Sequence, residues 1–423
     1  MTLWSVHGDG RGVRDGDVVR PDERMSWPLT IGLGVQHVAA MIGATVLVPA
    51  LTGFPAGPTL LFCGIGTLLF LAVTRNRVPA FLGSSYAFVA PLAAAREEGP
   101  AAQLGAVLLA GAVLIVVGVA VKALGVRLVE SVMPPLVTGA VVLIVVLALA
   151  PQPAAAFSKQ PVVGALTVAV IAICAVGTRG LLARLSVLIG VVIGWVAGAA
   201  TGALADDRVS ELAAAAWVGL PQLHAPQLRP SVVALVVPVV IVLIAETVGH
   251  MKAIATVTGR PLDGAVGDAL IANGAATTLA GLGGGSGTTT YAENIGVMAT
   301  TRIFSTAAYA VAGVLTVLLS CSPKATALVA TVPDGVVGGS ALVLFGMVAL
   351  TGVRIWQQAG VNLTDPVNAI VVGVALLAGV GGVTITIGGA TLNGIAWGSI
   401  AVVLGYPLLR RVRAMRRTSA GPR

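Results

Sequence analysis

Two short stretches of small and polar residues inside apolar sequence decide the fold. Residues 83–91 read GSSYAFVAP and residues 287–294 read GTTTYAEN. Each has Gly, then hydroxyl residues, then Tyr-Ala, and these are poor residues for a helix interior, so each stretch is predicted to begin extended and to become helical afterwards. Non-helical backbone at membrane depth is tolerated only where it is buried in protein or lines a cavity. We therefore expect the two stretches to pair beside a central site, with two helix N-termini pointing at it.

The composition around these stretches is that of a membrane protein. Of the 423 residues, 57% are hydrophobic and 10% are charged, against about 25% charged in a typical soluble domain. The mean hydropathy is +0.97, and the 25 Lys and Arg residues lie between apolar runs. The composition therefore excludes a cytosolic enzyme, a nucleic-acid binder and a disulfide-stapled secreted domain.

The three cysteines give no sign of a metal or redox site. Cys63, Cys174 and Cys321 each lie inside an apolar run, without a His or a second Cys at metal-ligand spacing. We interpret them as small core residues, and we expect neither a metal nor a cofactor.

Apolar segments predict the number of membrane spans. Cutting the chain at charges, Pro and Gly clusters gives fourteen stretches, most of them about 17–27 residues long, close to the ~20 that a helix needs to cross the hydrocarbon core. They begin near Trp27, Pro58, Val78, Ala102, Val129, Pro161, Gly180, Ser231, Ala265, Gly283, Ile303, Ala325, Pro366 and Thr386. The third and the tenth are short and contain the two polar stretches.

Charge placement predicts the orientation. If the first of fourteen spans starts inside, twenty Lys and Arg residues fall in cytoplasmic segments and five fall outside, as the positive-inside rule requires. Both termini are then cytoplasmic, with residues 1–26 as a tail, and the polar segment 206–230 is extracellular. That segment divides seven spans from seven, and a duplicated unit with an odd number of spans is inverted in the membrane.

Two carboxylates lie where they are costly. Glu246 follows the apolar run 239–245, and Glu293 lies in the interrupted tenth span. A charge at membrane depth costs at least ~2.5 kcal/mol on insertion scales, so each residue is a candidate functional group, with a helix-packing hydrogen bond as the alternative. His250 is four residues after Glu246 and shares its helix face, so the pair could contact one substrate or each other. A packing role for His250 is the alternative.

Other polar residues have more structural interpretations. His37, which follows Gln36 in the first span, is either a proton-relay or site-supporting residue or a core His that bridges helices. Asp268 lies at the start of the ninth span, where a carboxylate complements a helix N-terminus. Asn273 and Asn294 could brace the interrupted backbone.

At this point the residues resemble a known family, the nucleobase/ascorbate transporters. Residues 293–302 read ENIGVMATTR, which is similar to the family signature of Gln or Glu, then Asn-x-Gly, then Thr-Arg. Gln36-His37, residues 79–88 and residues 245–250 resemble its other landmarks. The resemblance covers essentially residues 27–410 and is greatest to bacterial uracil permeases, which are proton-coupled uracil symporters.

The resemblance implies an all-α polytopic membrane protein with 14 transmembrane spans as two inverted seven-span repeats. Spans 3 and 10 would be interrupted by short antiparallel β-strands that meet beside the substrate. It implies a core domain at 27–127 and 231–321, a gate domain at 128–204 and 322–410, an extracellular linker at 205–230 and cytoplasmic tails at 1–26 and 411–423. It also implies a homodimer in the inner (plasma) membrane and an elevator-like movement of core against gate.

The family's substrate contacts fall on five residues of this sequence. They are Tyr86 through its backbone N–H, Glu246, His250, Ala292 and Glu293. Coupling to protons would involve Glu246, His250 and His37, and site-supporting positions are Gln36, Ser85, Tyr291 and Asn294. Uracil permeases commonly have Phe where this chain has Tyr86 and Gly where it has Ala292, which leaves the exact substrate open.

The leading functional prediction is proton-coupled symport of uracil or a close pyrimidine. Uracil presents two N–H donors and two carbonyl acceptors, so a complementary site needs carboxylates and N–H donors. The alternatives are a purine permease for xanthine or urate, whose members tend to have Gln in place of Glu293, and an anion transporter with the same fold, in which two carboxylates would repel the substrate. An integral-membrane enzyme is a further alternative, but the sequence has no nucleophile motif, metal cluster or phosphate loop.

Overall fold

The structure is a computed structural model. It describes residues 3–13, 17–89, 92, 95, 98–127, 129, 133–387, 390–392 and 394–419. Arg14, Arg96 and Arg423 of the charge count, and Ala90 and Pro91 of the first polar stretch, lie outside the described residues.

The described chain is mostly helical. The helices are α1 Trp27–Thr52, α2 Ala56–Val73, α3 Pro100–Leu124, α4 Pro135–Leu149, α5 Pro151–Lys159, α6 Pro161–Gly177, α7 Leu181–Arg184, α8 Ser186–Ala200, α9 Asp206–Ala214, α10 Pro230–Thr258, α11 Val266–Gly283, α12 Ala292–Thr301, α13 Thr306–Ser320, α14 Pro323–Ala330, α15 Asp334–Gln358, α16 Pro366–Val380 and α17 Gly394–Ser419. Short 3₁₀ turns lie at Tyr86–Phe88 and Asp263–Ala265. Proline is the first residue of seven of the helices, because its fixed φ fits the helix and its missing N–H would be unpaired there.

Three pairs of short strands complete the described structure. The strands are β1 Ser5–Val6, β2 Glu23–Arg24, β3 Leu82–Ser84, β4 Thr288–Thr290, β5 Ile385–Ile387 and β6 Ala390–Leu392. β1 pairs with β2 in parallel, whereas β3 with β4 and β5 with β6 are antiparallel.

Several helices have the length and composition of membrane spans. Among the described residues, seven helical segments qualify, at 27–49, 56–73, 100–124, 135–159, 236–258, 334–358 and 394–413. An eighth follows if α13 and α14, which are bent by 84° relative to each other, are counted as one span. The apolar helices α6, α8 and α16 are shorter. The described part of the chain is therefore mostly helical, with about seven to eight helices suited to a membrane.

The helices pack in two groups. In the first, α11 packs against α2 and α3, α13 against α1 and α2, and α10 against α3. In the second, α15 packs against α4, α5 and α6, α8 against α6, and α16 and α17 against each other and α4. Fewer contacts join the groups, chiefly through α1 and α10. Two segments distant in sequence, 27–124 and 230–320, thus form one packing unit.

Glycine allows the closest of these helix contacts, between α3 and α11. A Cβ on Gly111 would lie 2.5 Å from the backbone nitrogen of Thr278, and one on Gly274 would lie 2.7 Å from that of Ile115. The two backbones approach because these positions carry no side chain.

Two helices begin later than the apolar stretches of the sequence indicate. The stretch starting near Ala325 contains the short helix α14, and α15 begins only at Asp334, since the residue before Pro333 is disfavoured in a helix. The stretch starting near Thr386 begins with the strands β5 and β6, and α17 starts at Gly394. Alternating Ile and Thr favour a strand there, which an apolar count does not detect.

Candidate functional site

The strands β3 and β4 bring together the two stretches of small and polar residues that interrupt the apolar sequence. Leu82 is opposite Thr290, Gly83 opposite Thr289 and Ser84 opposite Thr288. The pairing extends at both ends, because the N–H of Ser85 donates to Gly287 O (2.9 Å) and the N–H of Tyr291 donates to Phe81 O (3.0 Å). All six strand residues are buried, so their backbone groups are satisfied across the pair, as an apolar environment requires.

Aromatic rings from opposite halves cover the strand glycines. The ring of Tyr291 lies where a Cβ on Gly83 would be, and the ring of Phe88 lies where a Cβ on Gly287 would be. Tyr291 also fixes the strands by hydrogen bonds, since its hydroxyl donates to Ser84 O (2.8 Å) and accepts from Thr45 Oγ1 (3.1 Å). The predicted supporting residue Tyr291 therefore holds β3 in place.

Glu246 lies on α10 beside this strand pair. Its Oε2 accepts hydrogen bonds from Thr289 Oγ1 (3.0 Å) and Ser85 Oγ (3.4 Å). The residues 239–244 of the same helix are buried, whereas Glu246 is half-buried. Neither of these contacts uses Oε1, so the carboxylate has acceptor capacity left for a bound molecule.

His250 lies one helical turn after Glu246 and is bonded to a different threonine. Its Nδ1 is 2.8 Å from Thr290 Oγ1. In the described contacts Glu246 and His250 therefore bond neighbouring residues of β4 rather than each other, although the sequence left open direct contact between them. The shared helix face is as predicted, and both side chains are half-buried beside β4.

Ala292 and Glu293 occupy the first turn of α12, directly after β4 and Tyr291. The first four N–H groups of a helix have no partner within the helix and favour negative or carbonyl oxygen groups nearby. Glu293 lies four residues after Thr289, the β4 residue that bonds Glu246, so both acidic residues are next to β4. Ala292 is exposed and Glu293 half-buried, although most neighbouring residues are buried. Ala292 and Glu293 are thus accessible residues directly after the end of β4.

Tyr86 begins the 3₁₀ turn that follows β3, so it occupies on the first stretch a place comparable to that of Ala292 on the second. Its ring meets Phe345 of α15 edge-on, with centroids 5.8 Å apart and planes at 78°. Phe345 belongs to the second helix group. Its contact with Tyr86 is not predictable from the sequence, because no motif connects α15 with the polar stretches.

His37 is held among the first helix group. Asn294 Nδ2 donates to His37 Nδ1 (3.1 Å) and to His37 O (3.0 Å), and the ring lies 4.2 Å from that of Tyr309. His37 is 2% exposed, whereas its neighbour Gln36 is half-buried. His37 thus bridges α1, α12 and α13, as in the alternative of a core His, and through Asn294 it also contacts the first turn of α12.

Buried hydroxyl and amide groups brace β4 from behind. Thr288 Oγ1 donates to Asn273 Oδ1 (3.2 Å), whose Nδ2 donates to Thr247 Oγ1 (3.2 Å). Asn273 thus braces the strand, as the sequence suggested. Thr289 and Thr290, which bond Glu246 and His250, are not predicted as partners from the sequence, where the GTTT run indicates only a poor helix interior.

Asp268 belongs to a separate cluster near the start of α11. It is 6% exposed and forms ion pairs with Arg77 (2.9 Å) and Lys122 (2.6 Å). It therefore links α3, α11 and the loop that follows α2, and it lies in the first turn of α11, where a carboxylate complements the helix N-terminus. Within the described part of the chain, no cluster of three or more His, Cys, Asp or Glu residues is placed to hold a metal ion.

Comparisons with known proteins agree with the family indicated by these residues. The sequence model described as Permease family matches residues 29–388. RutG of Escherichia coli (strain K12), named as a candidate pyrimidine permease, is 42% identical over 413 residues, 94% of this chain and 93% of the relative. The uracil permease of the same strain is 35% identical over 401 residues, 92% of each chain.

A solved structure shows the same type of fold. The murine anion transporter Slc26a9, in an inward-facing state, is similar with a TM-score of 0.60 over 92% of this chain and 69% of that chain, at 13% sequence identity. The relatives in sequence are permeases, which are transporters, so the expectation that this chain is not an enzyme is confirmed. The chain is a multi-pass membrane protein and belongs to the Permease family, the nucleobase/ascorbate transporters.

Proposed function

We propose that the protein carries uracil, or a close pyrimidine nucleobase, into the cell together with protons. The observation that carries this proposal is that Glu246 bonds Thr289 of β4 and Glu293 follows β4 in the first turn of α12, with the backbone N–H groups of Tyr86 and Ala292 at the ends of the same strand pair. The names of the relatives in sequence support the same substrate class.

The chemistry of the site matches a planar ring with donors and acceptors at its edge. The carboxylates of Glu246 and Glu293 accept from the two ring N–H groups, and the N–H groups at the starts of the 3₁₀ turn and α12 donate to the carbonyl oxygens. Ser85 and Thr289 fix Glu246 through Oε2, which orients the carboxylate before the substrate arrives. Thr290 fixes His250 in the same way.

Glu246 is the proposed carrier of the transported proton. A carboxyl group that is protonated has no charge to desolvate, and it still accepts through its carbonyl oxygen while it donates through its O–H. Substrate and proton can therefore occupy the site together. His250 tunes this exchange, and His37 is the next candidate if the proton is bound elsewhere.

The proposed architecture is fourteen spans in two inverted sevens, both termini cytoplasmic, in the inner (plasma) membrane. The two helix groups support a core domain of 27–127 and 231–321 and a gate domain of 128–204 and 322–410. The reciprocal covering of Gly83 and Gly287 supports the inverted repeat. We propose that the core slides against the gate in a homodimer, with the Tyr86–Phe345 contact at the boundary.

The alternative substrates have weaker support. A purine is the second candidate substrate within the family. Purine-selective members tend to have Gln at the position of Glu293, so the carboxylate of this chain favours a pyrimidine. The similarity to Slc26a9 concerns the fold alone, and two carboxylates at the site oppose an anion.

Uptake of labelled uracil by cells that lack their own uracil permease tests the proposal. Expression of this protein should give uptake that unlabelled uracil abolishes, and that xanthine and bicarbonate leave unchanged. Competition by thymine measures how widely the site accepts pyrimidines. Uptake of labelled xanthine without uptake of uracil would replace the proposal with a purine permease, and uptake of labelled bicarbonate without uptake of uracil would replace it with an anion transporter.

A further inference from the structure

The N-terminal segment, predicted as a cytoplasmic tail, is packed against the loop that follows α12. The N–H of Val19 donates to Arg302 O (3.0 Å), and the N–H of Phe304 donates to Val19 O (2.8 Å). Val19 is 0% exposed and Met25 is 2% exposed. A segment that buries two apolar side chains and pairs its backbone in this way is packed on the folded unit.

Thr306 is the second point of attachment. Its Oγ1 accepts from Trp4 Nε1 (2.8 Å) and donates to Pro21 O (2.7 Å), and its backbone N–H also donates to Pro21 O (3.1 Å). Thr306 is fully buried. Both hydroxyl contacts reach the N-terminal segment, so this side chain connects the segment to the start of α13.

The loop in question ends the helix that presents Glu293. α12 is ten residues long, about 15 Å, and it ends at Arg302 with φ +58°, a left-handed conformation that non-glycine residues rarely adopt. The other end of α12 is fixed by the bond from Tyr291 N–H to Phe81 O and by the contact between Asn294 and His37. The N-terminal segment supplies the corresponding fixation at the Arg302 end.

We propose that residues 17–26, together with Trp4, form a clamp that fixes the C-terminal end of α12 and so positions Glu293 for the substrate. Val19 and Thr306 are positioning residues, because their recorded contacts are with the N-terminal segment and the loop after α12 and they would act on Glu293 only through α12. The assignment to uracil rests on the proposed function, whereas the clamp itself concerns only the rigidity of α12.

Two threonines of α13 provide a matched test. Thr306→Val removes the hydroxyl that bonds the clamp, and Thr316→Val removes an equally buried hydroxyl that bonds only Ala312 O of its own helix. We expect Thr306→Val to speed amide hydrogen exchange in 292–301 and to weaken uracil binding by about fivefold, the equivalent of one hydrogen bond. Thr306→Ser should restore both values, and Thr316→Val should change neither.

Trp4→Phe is the milder variant if Thr306→Val does not fold. It keeps an aromatic ring and removes the indole donor to Thr306, and Trp217→Phe at an exposed position is its control. Folded Thr306→Val or Trp4→Phe protein with unchanged exchange in 292–301 and unchanged affinity would overturn the clamp. A parent protein that binds no uracil would refute the proposed substrate, while the exchange comparison would still decide the clamp.

Discussion

Substitution of Glu293 tests whether this residue binds the substrate or only supports the fold. Glu293→Gln replaces one acceptor oxygen with an NH₂ donor at the start of α12, so uracil binding should weaken by about 1–3 kcal/mol or more. Equilibrium binding in detergent, without any gradient, measures this change. Glu211→Gln, in the exposed helix α9, is the control and should bind as the parent does. Unchanged affinity in Glu293→Gln would make Glu293 a structural residue.

Substitution of Glu246 should abolish the accumulation of uracil against a gradient without abolishing the binding of uracil. Glu246→Gln imitates the shape of the protonated acid but cannot release a proton, so it should still bind or exchange uracil and fail to accumulate it against a gradient. In proteoliposomes, the parent should accumulate more uracil as the outside becomes more acidic than the inside, because the proton enters with the substrate. Equal accumulation by Glu246→Gln would assign the proton to another group, with His37 as the next candidate.

Substitution of His250 should affect both uracil binding and proton coupling. Loss of the imidazole in His250→Ala removes the side chain that Thr290 holds beside Glu246, so both uracil affinity and the dependence of uptake on the pH difference should decrease. Equilibrium binding in detergent measures the affinity, and uptake into proteoliposomes with an imposed pH difference measures the coupling. A variant that loses affinity but keeps full coupling would restrict His250 to substrate contact.

The site residues were predictable where a single side chain was out of place in its sequence. Glu246 and Glu293 stand out because carboxylates are costly in apolar segments, and the spacing of His250 places it on the same helix face. Thr289 and Thr290 were not predictable as partners, because their contacts depend on the register of β4 against β3. Phe345 was missed because its contact with Tyr86 crosses between helix groups.

At the scale of elements, the strand pair should be intolerant of small additions. Gly83→Ala places a Cβ against the ring of Tyr291, which is held by Ser84 and Thr45. Overpacking of this kind costs about 1–3 kcal/mol, so the thermal unfolding midpoint in detergent should fall. Gly373→Ala on α16, where nothing lies within 4 Å of the added methyl, should leave it unchanged or raise it. An unchanged midpoint in Gly83→Ala would mean that the strand pair adapts.

The observed helix boundaries show where the division of the sequence into apolar stretches predicts helices correctly and where it does not. Helices such as α1 and α16 begin at Trp27 and Pro366, where their apolar stretches begin. The count fails near Ala325 and Thr386, because it records hydrophobicity and not the bend between α13 and α14 or the β-branched alternation of β5 and β6. Hydrophobicity also gives no sign that the segment around Val19 packs on the fold, since a polar segment that pairs through its backbone leaves no hydrophobic pattern.

At the scale of the whole molecule, orientation follows from the charge asymmetry. With Cys63, Cys174 and Cys321 replaced, an impermeant maleimide should label Arg208→Cys from outside the cell and Arg411→Cys only after the membrane is opened. The reason is that basic segments remain on the cytoplasmic side. Labelling of both positions from the same side would contradict the fourteen-span arrangement.

The pairing of Leu82 with Thr290 has a consequence for synthesis on the ribosome. The partner strand is made about 200 residues after the first, which at ~5–20 residues per second is a delay of about 10–40 s. Throughout that delay Leu82–Ser84 has no strand to pair with, and unpaired backbone is costly in lipid. The nascent first half therefore has to remain in a hydrated or protein-lined environment until β4 is made. A ribosome that stalls before residue 288 leaves a chain in which β3 has no partner strand.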